Sequence, residues 1–134
     1  MSLISVPVSF GELLDKITIL EIKAERIRDP AKRANVRHEL ELLEATWRSA
    51  PESKLDIASE REALRSVNLR LWVIEDDIRA QEQRQAFDAE FVRLARAVYF
   101  ENDERARIKR DINVKLGSQL VEEKSYQDYR VAGS

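Results

Sequence analysis

Apolar residues recur every three or four positions through most of this chain, a spacing typical of amphipathic α-helices. Proline and small polar residues interrupt the spacing at Asp29-Pro30 and around Pro51, and a third break falls near Gln85. The Ser-x-x-Glu sequence that begins at Ser9 predicts the start of the first helix, and Gly117 predicts the end of the last. The pattern therefore predicts four helices, at about residues 10–28, 30–48, 54–84 and 88–116.

The two ends of the chain do not follow the helical spacing. Residues 3–8 alternate apolar and small side chains and contain Pro7, which predicts an extended segment. Tyrosines and aliphatic residues are mixed with charges after Ser118, so we expect this tail to be docked up to Tyr129 and loose beyond it. The prediction is an all-α, single-domain bundle of about four helices over residues 1–130, with an extended N-terminal segment and a partly ordered C-terminal tail. Residues 131–134 are predicted to be loose.

Composition narrows the classes of protein without identifying one. The chain has 134 residues, of which 43% are hydrophobic and 36% are charged, enough for one domain. A net charge of −2 predicts no general attraction to nucleic acid or to an anionic membrane. The sequence has neither the features of a signal peptide nor a run of about 20 apolar residues that could span a membrane. Because it also lacks cysteine, we expect a cytoplasmic protein.

The last predicted helix carries polar residues within its apolar stripe. Asn102, Arg105 and Lys109 fall on the same face as the apolar residues before and after them. An unpaired charge in a dry interface would cost several kcal/mol, so these groups should meet carboxylates from other helices or face water or a ligand. Glu75 is the carboxylate that we expect to pair with Arg105 or Lys109. The candidate residues of this predicted polar belt are Asp15, Lys16, Glu75, Asn102, Arg105, Lys109 and Asn113.

The predicted polar belt has two interpretations. It could be a buried ion-pair network that fixes the register of the helices. Alternatively, its cations and amides could hold a ligand that bears a carboxylate or a phosphate. The basic run from Arg105 to Arg110 does not favour RNA binding, because its charges are spread around the helix and offset by neighbouring acidic residues.

A second apolar patch lies off the main stripe of the third predicted helix. Leu69, Trp72 and Val73 form it, and Phe100 on the fourth helix is a further candidate for an interface. On a small protein such a patch either receives the extended N-terminal segment or forms a contact between subunits. We predict a homodimer, and a different protein partner is also compatible with the patch.

The sequence lacks the motifs of several common catalytic and metal sites. One histidine and no cysteine exclude a zinc site of the usual kind and a Cys–His nucleophile pair. The Glu-x-x-His pattern of di-iron bundles, the glycine-rich nucleotide loops and the serine-hydrolase elbow are all absent from the sequence. We therefore expect neither a metal nor a cofactor.

Three blocks of the sequence resemble a known family. They are VPVSFGELLDKITILEIKAERI near the start, ENDERARIKRDIN in the fourth helix and GSQLVEEKSY near the end. Together they are similar to an uncharacterised bacterial family of small helical proteins of unknown function, and the resemblance covers nearly the whole chain. It implies no activity. It implies at most an accessory role beside the glycosyltransferases of surface-polysaccharide biosynthesis.

The first helix also resembles that of the all-helical chorismate mutases, which have a cationic active site inside a helical bundle. Leu14-Asp15 and Glu25-Arg26 carry this likeness. Their spacing differs from the family pattern by one residue, and Pro30 ends the helix earlier. No catalytic residue is therefore carried over.

Two classes of function remain open from the sequence. The favoured one is a non-catalytic helical interaction or accessory module that forms oligomers. The alternative is a small enzyme or binding protein for a carboxylate- or phosphate-bearing ligand at the predicted polar belt.

Overall fold

Four α-helices account for most of the computed structural model, which describes residues 2–130. They are α1 (Phe10–Arg26), α2 (Pro30–Ser49), α3 (Ala58–Gln83) and α4 (Ala89–Leu116), with a short 3-10 turn at Pro51–Lys54 between α2 and α3. Residues 2–130 contain no β-strand, so the prediction of an all-α, single-domain bundle is confirmed. The predicted loose end at residues 131–134 lies outside the described residues.

Short polar side chains start three of the helices as the sequence predicted. The Ser9 hydroxyl accepts a hydrogen bond from the backbone N–H of Glu12 at 3.1 Å and starts α1. Carboxylates of Asp29 and Asp88 play the same part at the starts of α2 and α4. Gly117 ends α4 in the left-handed conformation, with a φ of 66°. These local signals confirm three of the four predicted helix starts.

The start of α3 differs from the prediction. The helix begins at Ala58 rather than near Lys54, because the residues from Pro51 to Lys54 form the separate 3-10 turn. The carboxylate of Asp56 accepts a hydrogen bond from the backbone N–H of Ala58 at 3.1 Å. The sequence pattern predicted a break around Pro51 but placed the end of that break about four residues too early.

The helices α3 and α4 form a long antiparallel hairpin, and α1 crosses it. Ion pairs join Glu60 to Lys115 and Arg70 to Glu101, so residue numbers rise along one helix as they fall along the other. The first half of α1 contacts α4 and its second half contacts α3, while α2 packs on α1. The buried core contains Leu13, Leu14, Ile17, Trp47, Ile57, Leu64, Val67, Ile108, Ile112 and Leu116.

Helix α2 contributes less to this core than its apolar spacing predicted. Trp47 is its only buried residue and packs edge-to-face against Phe10, with the ring centroids 6.1 Å apart. Val36, Leu40 and Leu43 are only partly buried. One side of α2 therefore stays open to solvent, because only α1 packs against most of its length.

The far end of the hairpin has little cover. We call residues 69–100 the distal arm. All of these residues are described, and Leu94 is the only one that is buried. At a rise of 1.5 Å per residue, α3 is about 39 Å long and α1 only about 25 Å, so α1 cannot cover the whole hairpin.

Neither chain end packs as a regular element. The N-terminal segment is non-helical, and Leu3 and Ile4 are 80% and 91% exposed, so this segment does not cover the Leu69, Trp72 and Val73 patch. Residues 118–130 have no regular secondary structure and run back along α4, where Tyr129 packs on Tyr99 and Phe100. Among the residues described, no helix is long and apolar enough to cross a membrane.

Candidate functional site

A buried carboxylate lies where α1 crosses the hairpin. Asp15 on α1 is 1% exposed. Its Oδ1 accepts hydrogen bonds from Arg105 Nε at 3.0 Å and Asn68 Nδ2 at 2.9 Å, and its Oδ2 accepts one from Arg105 Nη2 at 2.6 Å. The carboxylate thus receives a two-pronged guanidinium contact from α4 and an amide from α3. This one side chain links three helices.

Thr18 extends the contact on the α3 side. Its hydroxyl donates to the backbone carbonyl of Asp15 at 2.9 Å and accepts from Asn68 Nδ2 at 2.9 Å. Asp15, Thr18 and Asn68 are all buried. The carboxylate oxygens of Asp15, the hydroxyl of Thr18 and the amide nitrogen of Asn68 all have hydrogen-bond partners, so burial leaves none of these atoms unsatisfied.

Lys109 adds a second cation on the α4 side. Its side chain is 8% exposed, and its Nζ lies 2.7 Å from Glu12 Oε2, 2.6 Å from Glu122 Oε2 and 3.9 Å from Asp15 Oδ2. Burial lowers the pKa of Lys109, but hydrogen bonds to Glu12 and Glu122 and the charge of Asp15 outweigh it and raise the pKa above its usual value. Lys109 is therefore a charged ammonium at neutral pH. We call Glu12, Asp15, Thr18, Asn68, Arg105 and Lys109 the Asp15 cluster.

A glycine allows α1 to approach α4 closely beside this cluster. The backbone N–H of Gly11 donates to Asn113 Oδ1 at 2.7 Å. A Cβ atom at Gly11 would lie 2.5 Å from the carbonyl oxygen of Lys109 and 3.0 Å from Asn113 Oδ1. The absence of a side chain is thus what lets the start of α1 rest on the last turns of α4.

The carboxylate at the centre of the Asp15 cluster is saturated with hydrogen bonds. Both oxygens of Asp15 accept hydrogen bonds from Arg105. Burial lowers the pKa of Arg105, but the hydrogen bonds and charge of Asp15 outweigh it and raise the pKa above its usual value. A general base needs a carboxylate that is free to accept a proton from a substrate. Within residues 2–130, no group of three or more His, Cys, Asp or Glu side chains is arranged to hold a metal ion.

The structure brings together part of the predicted polar belt. Asp15, Arg105 and Lys109 meet in the Asp15 cluster, and Asn102 Oδ1 accepts from Arg105 Nη1 at 3.3 Å. Asn113 lies next to the cluster but binds the backbone of Gly11 instead of a charge. Whether any of these residues holds a ligand stays a prediction.

Two predicted members lie apart from the cluster. Lys16 is exposed and, among residues 2–130, reaches only Glu12, at 3.5 Å. Glu75 is also exposed and pairs with Arg79 at 3.4 Å, so its predicted pairing with Arg105 or Lys109 was wrong. Asn68 is the residue of α3 that lies level with Arg105, and Glu75 follows it by seven residues (75 − 68), or about 10 Å of helix. The buried carboxylate comes from α1 instead.

Sequence reasoning missed the role of several residues. Asn68 was visible as a polar residue beside the apolar row of α3, and Glu12 and Asp15 lie one turn apart on α1. Arg105 and Lys109 are also one turn apart on α4. This matching spacing was the signal in the sequence that the two acidic residues could pair with the two basic ones. No sequence signal indicated that Glu122 of the tail would return to Lys109.

The four predicted interface residues all lie on the distal arm. Leu69 and Trp72 are partly buried and Val73 is exposed, so the patch remains accessible on α3. Phe100 lies on α4 and is partly covered by Tyr129, with the ring centroids 4.9 Å apart. No part of the described chain packs over Val73.

Two open cavities border the Asp15 cluster. The smaller, of about 450 Å³, lies between α1, α3 and α4 and includes Asn68, Trp72 and Arg105. The larger, of about 1220 Å³, lies between α4 and the tail and includes Arg105, Lys109 and Arg110. The cationic edge of the cluster therefore faces the tail.

Comparison of the sequence and structure with known proteins assigns the chain to a family but assigns no function. No curated protein and no solved structure matches the chain significantly. Residues 4–133 match a family described as a family of unknown function, DUF6165. This agrees with the resemblance to a family that has no assigned activity, whereas a bacterial origin stays a prediction. The chain belongs to the DUF6165 family of unknown function.

Proposed function

We propose that the protein is a non-catalytic helical interaction module that forms a homodimer through its distal arm. One observation carries the proposal: Leu94 is the only buried residue in residues 69–100, although both helices of the arm carry apolar side chains on more than one face. Two antiparallel helices have too little surface to bury each other's apolar faces completely. A second hairpin of the same kind would complete a four-helix arrangement.

The exposed side chains favour a protein surface as the partner of the arm. Val73, Phe87, Val92 and Phe100 are each at least 43% exposed. They lie on both helices of the arm and on the loop between them, so the arm presents several apolar side chains to a partner. The N-terminal segment was the alternative cover for the patch at Val73, and its own apolar residues point into solvent.

Charge is compatible with a second copy of this chain as the occupant. Arg79 pairs with Glu75 on α3, and Arg93 pairs with Glu90 on α4. A two-fold contact presents the same surface from both subunits. Because each helix of the arm carries both signs of charge, two copies would meet without a large excess of either charge.

The closed state of the Asp15 cluster supports a non-catalytic role. Its buried carboxylate is saturated by Arg105 and Asn68, as expected for a network that fixes how α1 crosses the hairpin. An accessory role in surface-polysaccharide synthesis, which rests on the resemblance alone, would be one use of such a module.

Multi-angle light scattering across a micromolar concentration range tests the proposal. We expect the mass to rise from the 15.6 kDa of one chain toward twice that value. Val73→Glu should keep the chain monomeric over the range, because a carboxylate buried between two arms would have no partner.

Val114→Glu is the matched control. Val114 is on α4 and 75% exposed but lies outside the distal arm, so the same substitution there should leave dimerisation unchanged. A monomer mass at all concentrations for the unmodified protein, or equal weakening by both substitutions, would contradict the proposed interface.

A further inference from the structure

The C-terminal tail is held against α4 almost entirely by side chains. Ser118 donates a backbone hydrogen bond to Asn113, and among residues 119–130 the structure shows no backbone-to-backbone hydrogen bond to the helices. Beyond that point the tail is attached by ion pairs and by the packing of Tyr129 on Tyr99 and Phe100. Exposed ion pairs contribute little each, so this segment can leave the helix without disrupting the bundle.

Two adjacent glutamates of the tail bind two adjacent cations of α4. Glu122 Oε2 lies 2.6 Å from Lys109 Nζ, and Glu123 Oε2 lies 2.8 Å from Arg110 Nη2. Both glutamate side chains are more than half exposed. The tail thus places two negative groups in the cavity of about 1220 Å³, one on each of two consecutive cations of α4.

The partners of Lys109 differ in how easily they can be replaced. Glu12 and Asp15 are fixed on α1, and Asp15 is also bound to Arg105. Glu122 is on a segment without regular structure, and it is the one carboxylate on Lys109 that solvent reaches freely. An anion from solution can therefore replace Glu122 without disturbing the other partners of the ammonium.

We propose that the groove between α4 and the tail is a binding site for small molecules with two anionic groups, and that Glu122 and Glu123 occupy it in the absence of such a ligand. A diphosphate or a dicarboxylate has the chemistry that these two carboxylates imitate. Lys109 and Arg110 bind the two anionic groups, and the tail is displaced when the ligand enters. The site does not depend on the proposed dimer, because Lys109 and Arg110 lie outside the distal arm.

Calorimetric titration of the full chain with inorganic pyrophosphate tests the site. The variant that combines Glu122→Gln and Glu123→Gln should bind pyrophosphate about tenfold more tightly than the unmodified protein, because an internal competitor that fills the site about nine-tenths of the time is removed. Arg110→Gln should weaken binding several-fold. All three substituted residues are exposed, and circular dichroism should show an unchanged helix content.

The matched control changes two other exposed glutamates. Glu39→Gln with Glu41→Gln on α2 alters the net charge by the same amount, away from the groove, and should leave the affinity near that of the unmodified protein. An equal gain in this control, or no gain in the Glu122 and Glu123 variant, would overturn the proposal.

Trypsin cleavage after Lys124 gives a second, independent measurement. Displacement of the tail should make cleavage of the unmodified protein faster as pyrophosphate is added. Binding of pyrophosphate without faster cleavage would overturn the claim that the tail occupies the same site.

Discussion

The two ends of the α3 and α4 hairpin use the same helices in opposite ways. At the end that α1 crosses, side chains from three helices meet in the Asp15 cluster, and Asp15 is 1% exposed. In the distal arm most ion pairs are exposed, and Leu94 alone is buried. A continuous helix can therefore be part of a well-packed core over half its length and leave apolar side chains exposed over the other half.

The difference arises from helix length. Helix α1 has 17 residues and α3 has 26, so α1 ends before the hairpin does. Where α1 is present, a buried charge is tolerated because Arg105 and Asn68 satisfy it. Where α1 is absent, the same two helices expose apolar residues. This contrast predicts that equivalent substitutions will have unequal effects in the two regions.

The largest expected effect is that of Arg105→Ala. The change would leave the buried Asp15 carboxylate without its guanidinium, and should lower the free energy of unfolding by about 3–5 kcal/mol. Urea denaturation measures it. Arg105→Met combined with Asp15→Leu should recover much of the loss, because no charge is then left unpaired.

Arg93→Ala in the distal arm is the comparison for that variant. The ion pair of Arg93 with Glu90 is exposed, so its loss should leave the free energy of unfolding nearly unchanged. Similar losses for Arg93→Ala and Arg105→Ala would remove the distinction between the two regions.

An effect between those of Arg105→Ala and Arg93→Ala is expected from Gly11→Ala. Helix propensity alone would favour alanine by up to about 1 kcal/mol, but the added Cβ would lie 2.5 Å from the carbonyl oxygen of Lys109. We therefore expect a net loss of about 1–3 kcal/mol in thermal or urea unfolding, typical of overpacking. A gain in stability would show that α1 does not rest on α4 as described.

Much of the fold was predictable because its signals are local. Ser9, Asp29 and Asp88 each bind a backbone N–H three residues ahead, and Gly117 takes a conformation that suits glycine. Such contacts depend on a few neighbouring residues, which the sequence displays directly. The 3-10 turn at Pro51–Lys54 was predicted only as a break between helices, because a single turn has no repeating apolar positions to reveal its conformation.

The candidate site was predictable only in part. The position of Arg105 and Lys109 within an apolar stripe required a buried partner, and the structure provides one. The choice of Glu75 as that partner was wrong, because helical periodicity gives the face of a residue but not its level relative to another helix. The contact between Glu122 and Lys109 was beyond prediction, since it depends on the path of a tail without regular structure.

Hydrogen–deuterium exchange at two protein concentrations tests most directly whether the distal arm depends on a partner. Amides of the distal arm should exchange more slowly at high micromolar than at low nanomolar concentration, because dimerisation would suppress local opening of the two helices. Amides in α1 and in residues 105–116 should exchange at the same rate at both concentrations. Exchange of the distal-arm amides at the same rate in the dilute and the concentrated sample would contradict the account.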